Sequence, residues 1–327
     1  MRVSKLAALL AIIPLALAVV ACGSDDGSDV RAVGSDASAS GSGSGSGAGA
    51  ASGTGLSGSE LSTVATDDPL VQAAVAAYTD YVSAQTDEII ARTTVFTDAV
   101  RAGDLAAARA AYAPSREPWE AIEPIAGLIP SIDGAVDSRV DDFKGPGDPA
   151  FTGWHRLEYL LWVKSTTAGG TTFANKLDAD LEKLESGVAS LEIPPAAVAL
   201  GASELIQEVS EGKITGEEDR YSKTDLWDFV ANVGGAEKVI DVLTPALEKA
   251  DPDLLARITA GFDELGASLA PLKKGDGYVL YCQVDDEFPS KLCPRPTVTK
   301  AQVDGLKVQL AGLSEDLALV PGALGLS

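Results

Sequence analysis

Histidine, methionine and cysteine are the residues that this sequence contains least of. Its 327 residues include one His, one Met and three Cys, so imidazole and sulfur ligands for a metal are scarce. Familiar catalytic motifs are missing as well, because the chain has no G-x-S-x-G elbow, no HExxH and no phosphate-binding glycine loop. A Ser–His–Asp triad would have to use the single histidine, His155, without any local cue.

Basic residues are also few. There are 25 Lys and Arg against 48 Asp and Glu, which gives a formal net charge of −23. Loss of Arg2 and Lys5 with a leader peptide would make it −25. Such a charge argues against nucleic acid and anionic lipid as partners, and it favours cations or basic proteins. The alternative is that the acidity only keeps the protein soluble.

The first residues have the pattern of a secretory leader. Arg2 and Lys5 precede an apolar stretch, 6–20, that is too short for a convincing membrane span, and Ala21 and Cys22 follow it. We therefore predict a signal peptide over 1–21 and a lipobox that attaches lipid to Cys22, so that the mature chain is exported and tethered to the cell membrane. The alternative is an ordinary signal peptide followed by an incidental cysteine.

A Ser/Gly-rich segment separates this leader from the rest of the chain. Residues 22–65 contain almost no large apolar side chains and cannot offset the entropy lost on ordering, so they are predicted to be a flexible linker. Residues 66–327 are then the folded domain. Within it, Cys282 and Cys293 lie close together in a Pro-containing loop, and in an oxidising compartment they are expected to form a disulfide.

The folded domain is predicted to be all-α. The clearest helix begins at Asp67-Asp68-Pro69, carries apolar residues at three- and four-residue spacing, and ends at Gly103. Further helices are predicted at 104–112, 115–129, 134–142, 149–164, 171–191, 195–211, 223–249, 251–270, 298–313 and 315–324. Convincing strand patterns are absent, so we expect antiparallel helices in one or two four-helix bundles, without significant sheet.

His155 lies in the apolar segment GWHRLEYLLW, at 153–162. On a helix, His155 and Glu158 occupy adjacent positions of one face, with Trp154, Leu157 and Leu161 continuing its apolar arc. Both polar groups therefore point into packed surface or to its rim, where they must be paired or coordinated. An HxxE pair can supply one nitrogen and one oxygen to a metal. The alternative is a buried His–Glu hydrogen bond.

Acidic residues recur at helical spacing in two neighbouring segments. Glu117, Glu120 and Glu123 follow one another every three residues, and Arg116 can neutralise only some of them. A second row at four-residue spacing consists of Asp133, Asp137 and Asp141. If the two rows pack together they form a site for a hard cation. As separate rows they would be ordinary solvated faces.

A third acidic segment precedes a later helix. Glu217, Glu218 and Asp219 stand directly before it, and some of this acidity can balance the helix dipole. Within the helix, Asp228 and Asn232 share one face amid aromatic neighbours. These two residues are harder to explain as solvated surface.

Three segments together resemble a known family. They are GWHRLE at 153–158, SREPWEAIEPIA at 115–126 and GEEDRYSKTDLWDFVAN at 216–232. They are similar to the imelysin-like family and, within it, to the EfeO/EfeM type of bacterial iron-uptake component, from about residue 66 to the C-terminal LALVPGALGLS. The form indicated is the short one, because the Ser/Gly linker stands where longer relatives carry a cupredoxin-like domain.

The resemblance implies a bilobal all-helical domain that binds iron at the HxxE motif and works with a membrane permease and a haem peroxidase. Carried over by position, the implied metal ligands are His155, Glu158, Glu120, Glu123, Asp137, Glu217, Glu218 and Asp219, without an indication of which of the last three points inward. Lys223 stands where some relatives have a histidine, so a second imidazole is lacking.

Three functions follow from these patterns. The first is capture of iron, as Fe(II) or Fe(III), for delivery to a permease, with Zn(II), Cu(II) or another divalent cation as alternative ligands. The second is a metallopeptidase, since the family is also classed with candidate metallopeptidases, although one histidine makes a zinc-hydrolase site sparse. The third is a scaffolding lipoprotein in which HxxE is only structural.

Overall fold

The computed structural model describes residues 66–326. The predicted signal peptide, the lipidated Cys22 and the linker lie outside the described residues. The helices are α1 Pro69–Ala102, α2 Leu105–Ile122, α3 Pro130–Val136, α4 Gly153–Glu158, α5 Thr171–Val188, α6 Pro195–Glu211, α7 Asp225–Ala250, α8 Pro252–Leu269, α9 Lys300–Leu317 and α10 Val320–Ala323. A two-stranded hairpin pairs β1 (Lys273–Lys274) with β2 (Gly277–Tyr278). The all-α prediction is confirmed.

The long first helix agrees with its sequence signals. The carboxylate of Asp68 accepts a hydrogen bond from the backbone N–H of Leu70 at 2.8 Å, and Pro69 occupies the first helical turn. At the other end Gly103 adopts a left-handed conformation with φ of 79°. α1 therefore begins and ends within two residues of the predicted positions.

Several predicted helix boundaries were wrong. The helices predicted at 104–112 and 115–129 are one helix, α2, which continues through Pro114 and Pro118 and is followed by a 3-10 turn, Glu123–Leu128. Proline removes a backbone hydrogen bond and costs about 3 kcal/mol in a helix interior. Packing of α2 against α1 and α7 offsets that cost. The C-terminal stretches predicted at 298–313 and 315–324 become α9, which is longer, and α10, which is a single turn.

The helix predicted at 134–142 is divided. α3 ends at Val136, and a separate 3-10 turn covers Val140–Asp142. The side chain of Asp137 contacts Arg116 and Trp119 of α2, and these contacts accompany the break in the helix. Asp133, Asp137 and Asp141 consequently do not form one row on a helix face.

The helix predicted at 149–164 starts later and changes its winding. α4 begins at Gly153, whose φ is 78°, and the chain continues as a π-helix over Tyr159–Val163. A Cβ atom on Gly153 would lie 2.1 Å from the carbonyl oxygen of Val136. Only glycine permits this close approach, which places the first turn of α4 beside the end of α3.

The helices pack in two groups that share α7. α1, α2, α5 and α7 form the first group, and α6, α7, α8 and α9 form the second. One continuous cluster of buried side chains runs through both groups, with Trp154, Leu226 and Leu243 among its members. Within residues 66–326, no helix is both long enough and apolar enough to cross a membrane.

The predicted disulfide is confirmed. Cys282 and Cys293 are bonded, with their Cα atoms 5.4 Å apart. The backbone N–H of Tyr281, next to this loop, donates to the carbonyl of Lys223 at 2.8 Å. The disulfide loop is thus attached to the segment that precedes α7.

Two adjacent glycines of α7 offer a test of this packing. A Cβ atom on Gly235 would lie 2.3 Å from the carbonyl oxygen of Ala121 in α2, whereas Gly234 has nothing within 4 Å. We expect Gly235→Ala to lower the free energy of unfolding by about 1–3 kcal/mol, because α2 and α7 must separate. The control Gly234→Ala should raise it by up to about 1 kcal/mol through helix propensity. Thermal or urea unfolding measures both, and equal effects would contradict the close packing.

Candidate metal centre

His155 lies at the centre of a buried polar cluster between α2, α4, α7 and the segment 213–222. Its side chain is 2% exposed, and that of Glu158 is fully buried. The predicted common face of the HxxE pair is therefore correct. Each ring nitrogen of His155 points to a different set of acidic groups.

The Nε2 side faces Asp137 and Glu218. Nε2 lies 3.4 Å from Asp137 Oδ1 and 3.3 Å from Glu218 Oε1. These two oxygens also accept hydrogen bonds from the guanidinium of Arg116, at 2.9 Å for Glu218. We refer to His155 Nε2, Asp137 and Glu218 as the Nε2 seat. Its oxygens already have a cationic partner.

The Nδ1 side faces Glu158, Asp219 and Tyr112. Nδ1 lies 3.6 Å from Glu158 Oε2 and 3.4 Å from the hydroxyl of Tyr112, which donates to Asp219 Oδ1 at 2.8 Å. Ligand atoms of His155, Glu158 and Asp219 all lie within 4.8 Å of one another. We refer to these three groups as the Nδ1 seat.

The two oxygens of Glu158 have different surroundings. Oε1 accepts hydrogen bonds from the backbone N–H groups of Tyr221 and Ser222, at 2.9 and 2.7 Å. Oε2 is buried and has no hydrogen-bond partner among the described residues. A buried carboxylate oxygen without a partner is costly. The backbone thus holds Glu158 so that its free oxygen faces His155.

Arg116 is the central cation of the cluster. It is completely buried, and its guanidinium donates to Asp137, Glu120, Glu218 and Asp228, with Asp219 Oδ1 at 3.7 Å. These carboxylates come from α2, from the turn after α3, from the 213–222 segment and from α7. Arg116 therefore connects α2, the turn after α3, the 213–222 segment and α7 around His155.

Lys213 is the centre of a neighbouring network that involves the two predicted glutamates of α2. Its ammonium group donates to Glu120 Oε2 at 2.8 Å and to Glu123 Oε2 at 2.7 Å. The side-chain amide of Asn232 donates to the same two oxygens at 2.9 and 2.7 Å. Lys213 and Asn232 thus bind both Glu120 and Glu123, and Arg116 binds Glu120. The structure does not bring either glutamate to His155.

The sequence did not indicate which of the three acidic residues before α7 point inward, and the structure distinguishes them. Glu218 and Asp219 are buried and reach the two sides of His155, whereas Glu217 is partly exposed and lies 3.6 Å from Arg139. Asp228 and Asn232, which periodicity singled out, are also fully buried in the cluster.

The charges in the cluster shift several pKa values. Burial raises the pKa of Glu158, and the nearby His155 opposes that shift. Burial and the charge of Asp219 raise the pKa of Asp228 well above its ordinary value. Burial also opposes ionisation of Asp137, but the charge of Arg116 outweighs it and lowers the pKa.

The acidic groups around His155 favour the protonated form of its imidazole. Burial and Arg116 both act to lower its pKa, but Asp137, Glu158 and Glu218 outweigh them and raise the pKa well above its ordinary value. A metal ion can bind only the deprotonated nitrogen. The cluster thus already supports one positive charge at the position between the acids.

Buried carboxylates outnumber buried cations in this region. The carboxylates are Glu120, Glu123, Asp137, Glu158, Glu218, Asp219 and Asp228, and the permanent cations are Arg116, Lys213 and Arg139. An excess of negative charge in a low-dielectric interior favours either protonation of a carboxylate or binding of an additional cation. The arrangement is suited to binding a hard or borderline metal ion.

The disulfide loop contacts residues directly after Glu218 and Asp219 and supports that segment. Lys223, which has a positive φ of 62°, donates from its ammonium group to Asp286 of the loop at 2.9 Å. The guanidinium of Arg220 lies 4.4 Å from the ring centre of Phe288. The buried Lys223 thus has a structural partner outside both seats.

The sequence patterns missed Tyr112 and Lys213 and predicted only one partner of Arg116. Tyr112 was not considered, and Arg116 was assigned only to Glu120. Both lie on one face of α2 at a four-residue spacing that continues to Glu120. That spacing is the signal that could have connected them. Lys213 had no comparable signal, because it lies in a short turn far from its partners in sequence.

The chain is similar in sequence to several known proteins. A family model described as imelysin matches residues 74–313. The iron uptake system component EfeO of Escherichia coli (strain K12) is 42% identical over 274 residues, which cover 83% of this chain and 69% of that protein. The protein of the same description from Shigella flexneri has the same identity and coverage.

Replacement of Arg116 tests its role as the central cation. Arg116→Met removes one partner from several buried carboxylates, so we expect the free energy of unfolding to fall by about 3–5 kcal/mol. Arg92→Met is the control, because Arg92 pairs with Glu88 and Glu117 at a half-exposed position and should change stability by less than about 1 kcal/mol. Urea unfolding at neutral pH measures the difference. Similar losses in both variants would contradict a central role for Arg116.

Proposed function

The chain belongs to the imelysin family, and from that premise we propose that it is the metal-binding component of an iron-uptake system. In this proposal it is exported, attached to the membrane by lipid at Cys22, and captures iron outside the cytoplasm for a permease, alongside a haem peroxidase. The names of its relatives support the iron-uptake role.

One observation carries the proposal. Glu158 Oε2 is buried without a hydrogen-bond partner, and it faces His155 Nδ1 and Asp219 in the Nδ1 seat. A cation bound to these atoms would satisfy the free oxygen and reduce the local excess of negative charge. The Nε2 seat is the weaker candidate, because Arg116 already donates to both of its carboxylate oxygens.

The donor set suits iron. Two carboxylates and one imidazole are hard to borderline ligands, which accept Fe(III) and Fe(II), whereas Zn(II) and Cu(II) compete with Fe(II) by affinity. Aromatic rings line one part of the seat, where Tyr112 packs against Phe96 and Trp162. They would limit the access of water to a bound ion.

A second function, peptide hydrolysis, is less well supported. A metallopeptidase must bring a peptide carbonyl and a water molecule to the ion. His155 and Glu158 are almost completely buried, so a polypeptide would need the surrounding helices to open. Burial favours storage or transfer of an ion over reaction with a polymer.

Removal of the HxxE side chains tests the proposed site. The double variant His155→Ala, Glu158→Ala should bind iron at least tenfold more weakly, about 1.4 kcal/mol, because it loses a nitrogen and the free carboxylate oxygen. Equilibrium dialysis against buffered iron followed by elemental analysis measures the affinity and the stoichiometry. Unchanged binding would remove the HxxE pair from the proposal.

Three further variants accompany that experiment. Asp263→Ala, Glu264→Ala removes two exposed charges on α8 and should leave binding unchanged. Glu158→Gln keeps the size of the side chain and should weaken binding more than Asp137→Asn, because Glu158 belongs to the Nδ1 seat. The reverse order would place the ion at the Nε2 seat.

A hydrolysis assay separates the two functions. We expect the iron- or zinc-loaded protein to leave a mixed peptide library intact, since its candidate ligands are buried, with mass spectrometry as the readout. Cleavage that disappears on chelation and in the double variant would establish a metallopeptidase instead.

A further inference from the structure

The hydroxyl of Tyr112 lies beside the Nδ1 seat. It is 3.4 Å from His155 Nδ1 and 2.8 Å from Asp219 Oδ1. The ring is fully buried and packs edge-on against Phe96 and Trp162, with centroids 5.6 and 5.3 Å apart. The aromatic neighbours therefore hold the hydroxyl beside the seat.

These separations are suitable for ligands of one ion. Two donor atoms at right angles, each about 2.1 Å from a common metal, lie about 3 Å apart. The Tyr112 hydroxyl is near this spacing from both His155 Nδ1 and Asp219 Oδ1, at 3.4 and 2.8 Å. An ion that binds these two groups is thus also next to the phenol oxygen.

We propose that Tyr112 is a metal ligand, and that it binds as a phenolate and makes the Nδ1 seat selective for Fe(III). This inference rests on the proposed function, which it deepens by specifying the oxidation state of the ion. With Glu158 and Asp219, a phenolate supplies three negative charges beside one neutral imidazole. That set matches a tripositive ion better than a dipositive one.

The proton balance of the step is simple. Without an ion the hydroxyl carries its proton, which it donates in a hydrogen bond to Asp219 Oδ1 at 2.8 Å. On binding, the O–H bond of Tyr112 and the Nδ1–H bond of the protonated His155 break, iron forms bonds to the phenolate oxygen and to Nδ1, and both protons leave to solvent. The iron keeps its oxidation state, so no oxidant or reductant is required. Asp219 accepts the hydrogen bond of the Tyr112 hydroxyl when no ion is present. When the ion binds, Asp219 binds the ion instead.

Spectroscopy of the iron-loaded protein tests the assignment. A phenolate bound to Fe(III) gives a charge-transfer absorption band in the visible range and phenolate modes in resonance Raman spectra. We expect the wild-type protein, loaded with Fe(III) from a nitrilotriacetate complex, to show both signals. Wild-type protein that holds Fe(III), by elemental analysis, but lacks the band overturns the inference and leaves the proposed function intact. Wild-type protein that takes up neither Fe(III) nor Fe(II) overturns the proposed function itself.

Variants identify the tyrosine responsible. Tyr112→Phe should lose the band and bind Fe(III) at least tenfold more weakly, while its affinity for Zn(II) changes less, because a dipositive ion gains less from the phenolate. Tyr78→Phe is the matched control, since Tyr78 is also fully buried but lies on α1 and its hydroxyl has no hydrogen-bond partner among the described residues. It should keep the band. A band retained in Tyr112→Phe contradicts the assignment.

A third variant addresses the nearest competing phenol. The backbone N–H of Tyr221 contacts Glu158, so Tyr221→Phe should keep the band if Tyr112 is the ligand. Loss of the band in Tyr221→Phe alone would assign it to that residue. Because the wild-type spectrum already tests for a phenolate, the inference remains falsifiable even if Tyr112→Phe fails to fold, which circular dichroism would reveal.

Discussion

The buried guanidinium of Arg116 is the interaction on which the rest of the structure depends. It contacts carboxylates from α2, from the turn after α3, from the segment before α7 and from α7 itself. A planar group with five donors can satisfy several acids at once, and it remains charged at every accessible pH. Without it, segments distant in sequence would bring like charges together in an apolar interior.

The same cation also determines which side of His155 is open. Arg116 and Arg139 donate to the acids near Nε2, whereas Glu158 on the Nδ1 side keeps an oxygen free. The acids near Nε2 therefore pair with permanent cations, whereas the free oxygen of Glu158 faces the His155 imidazole at 3.6 Å, which loses its proton when a metal binds. Under the proposed function such a balance favours release of the ion, because permanent cations nearby limit how tightly the ion is held.

Sequence reasoning found the HxxE pair but only some of its neighbours. The spacing of His155 and Glu158 predicts that both are buried on one helix face. The disulfide follows from an oxidising compartment and from the proximity of the two cysteines in the chain. Glu120 and Glu123 were predicted as ligands, yet Lys213, ninety-three and ninety residues away, binds them. Helical spacing predicts which side chains share a face, and it does not predict which distant residue packs against that face.

By itself the sequence determined the helical class, the long first helix, the buried HxxE face and the excess of acid, since these depend on periodicity, composition and local capping. The tertiary structure alone decided the course of α2 through two prolines, the break after α3, and the meeting of Tyr112 with partners 43 and 107 residues away. Those features depend on packing energies between helices and on the compensation of buried charge. Both are properties of contacts between residues far apart in the chain, which no local pattern records.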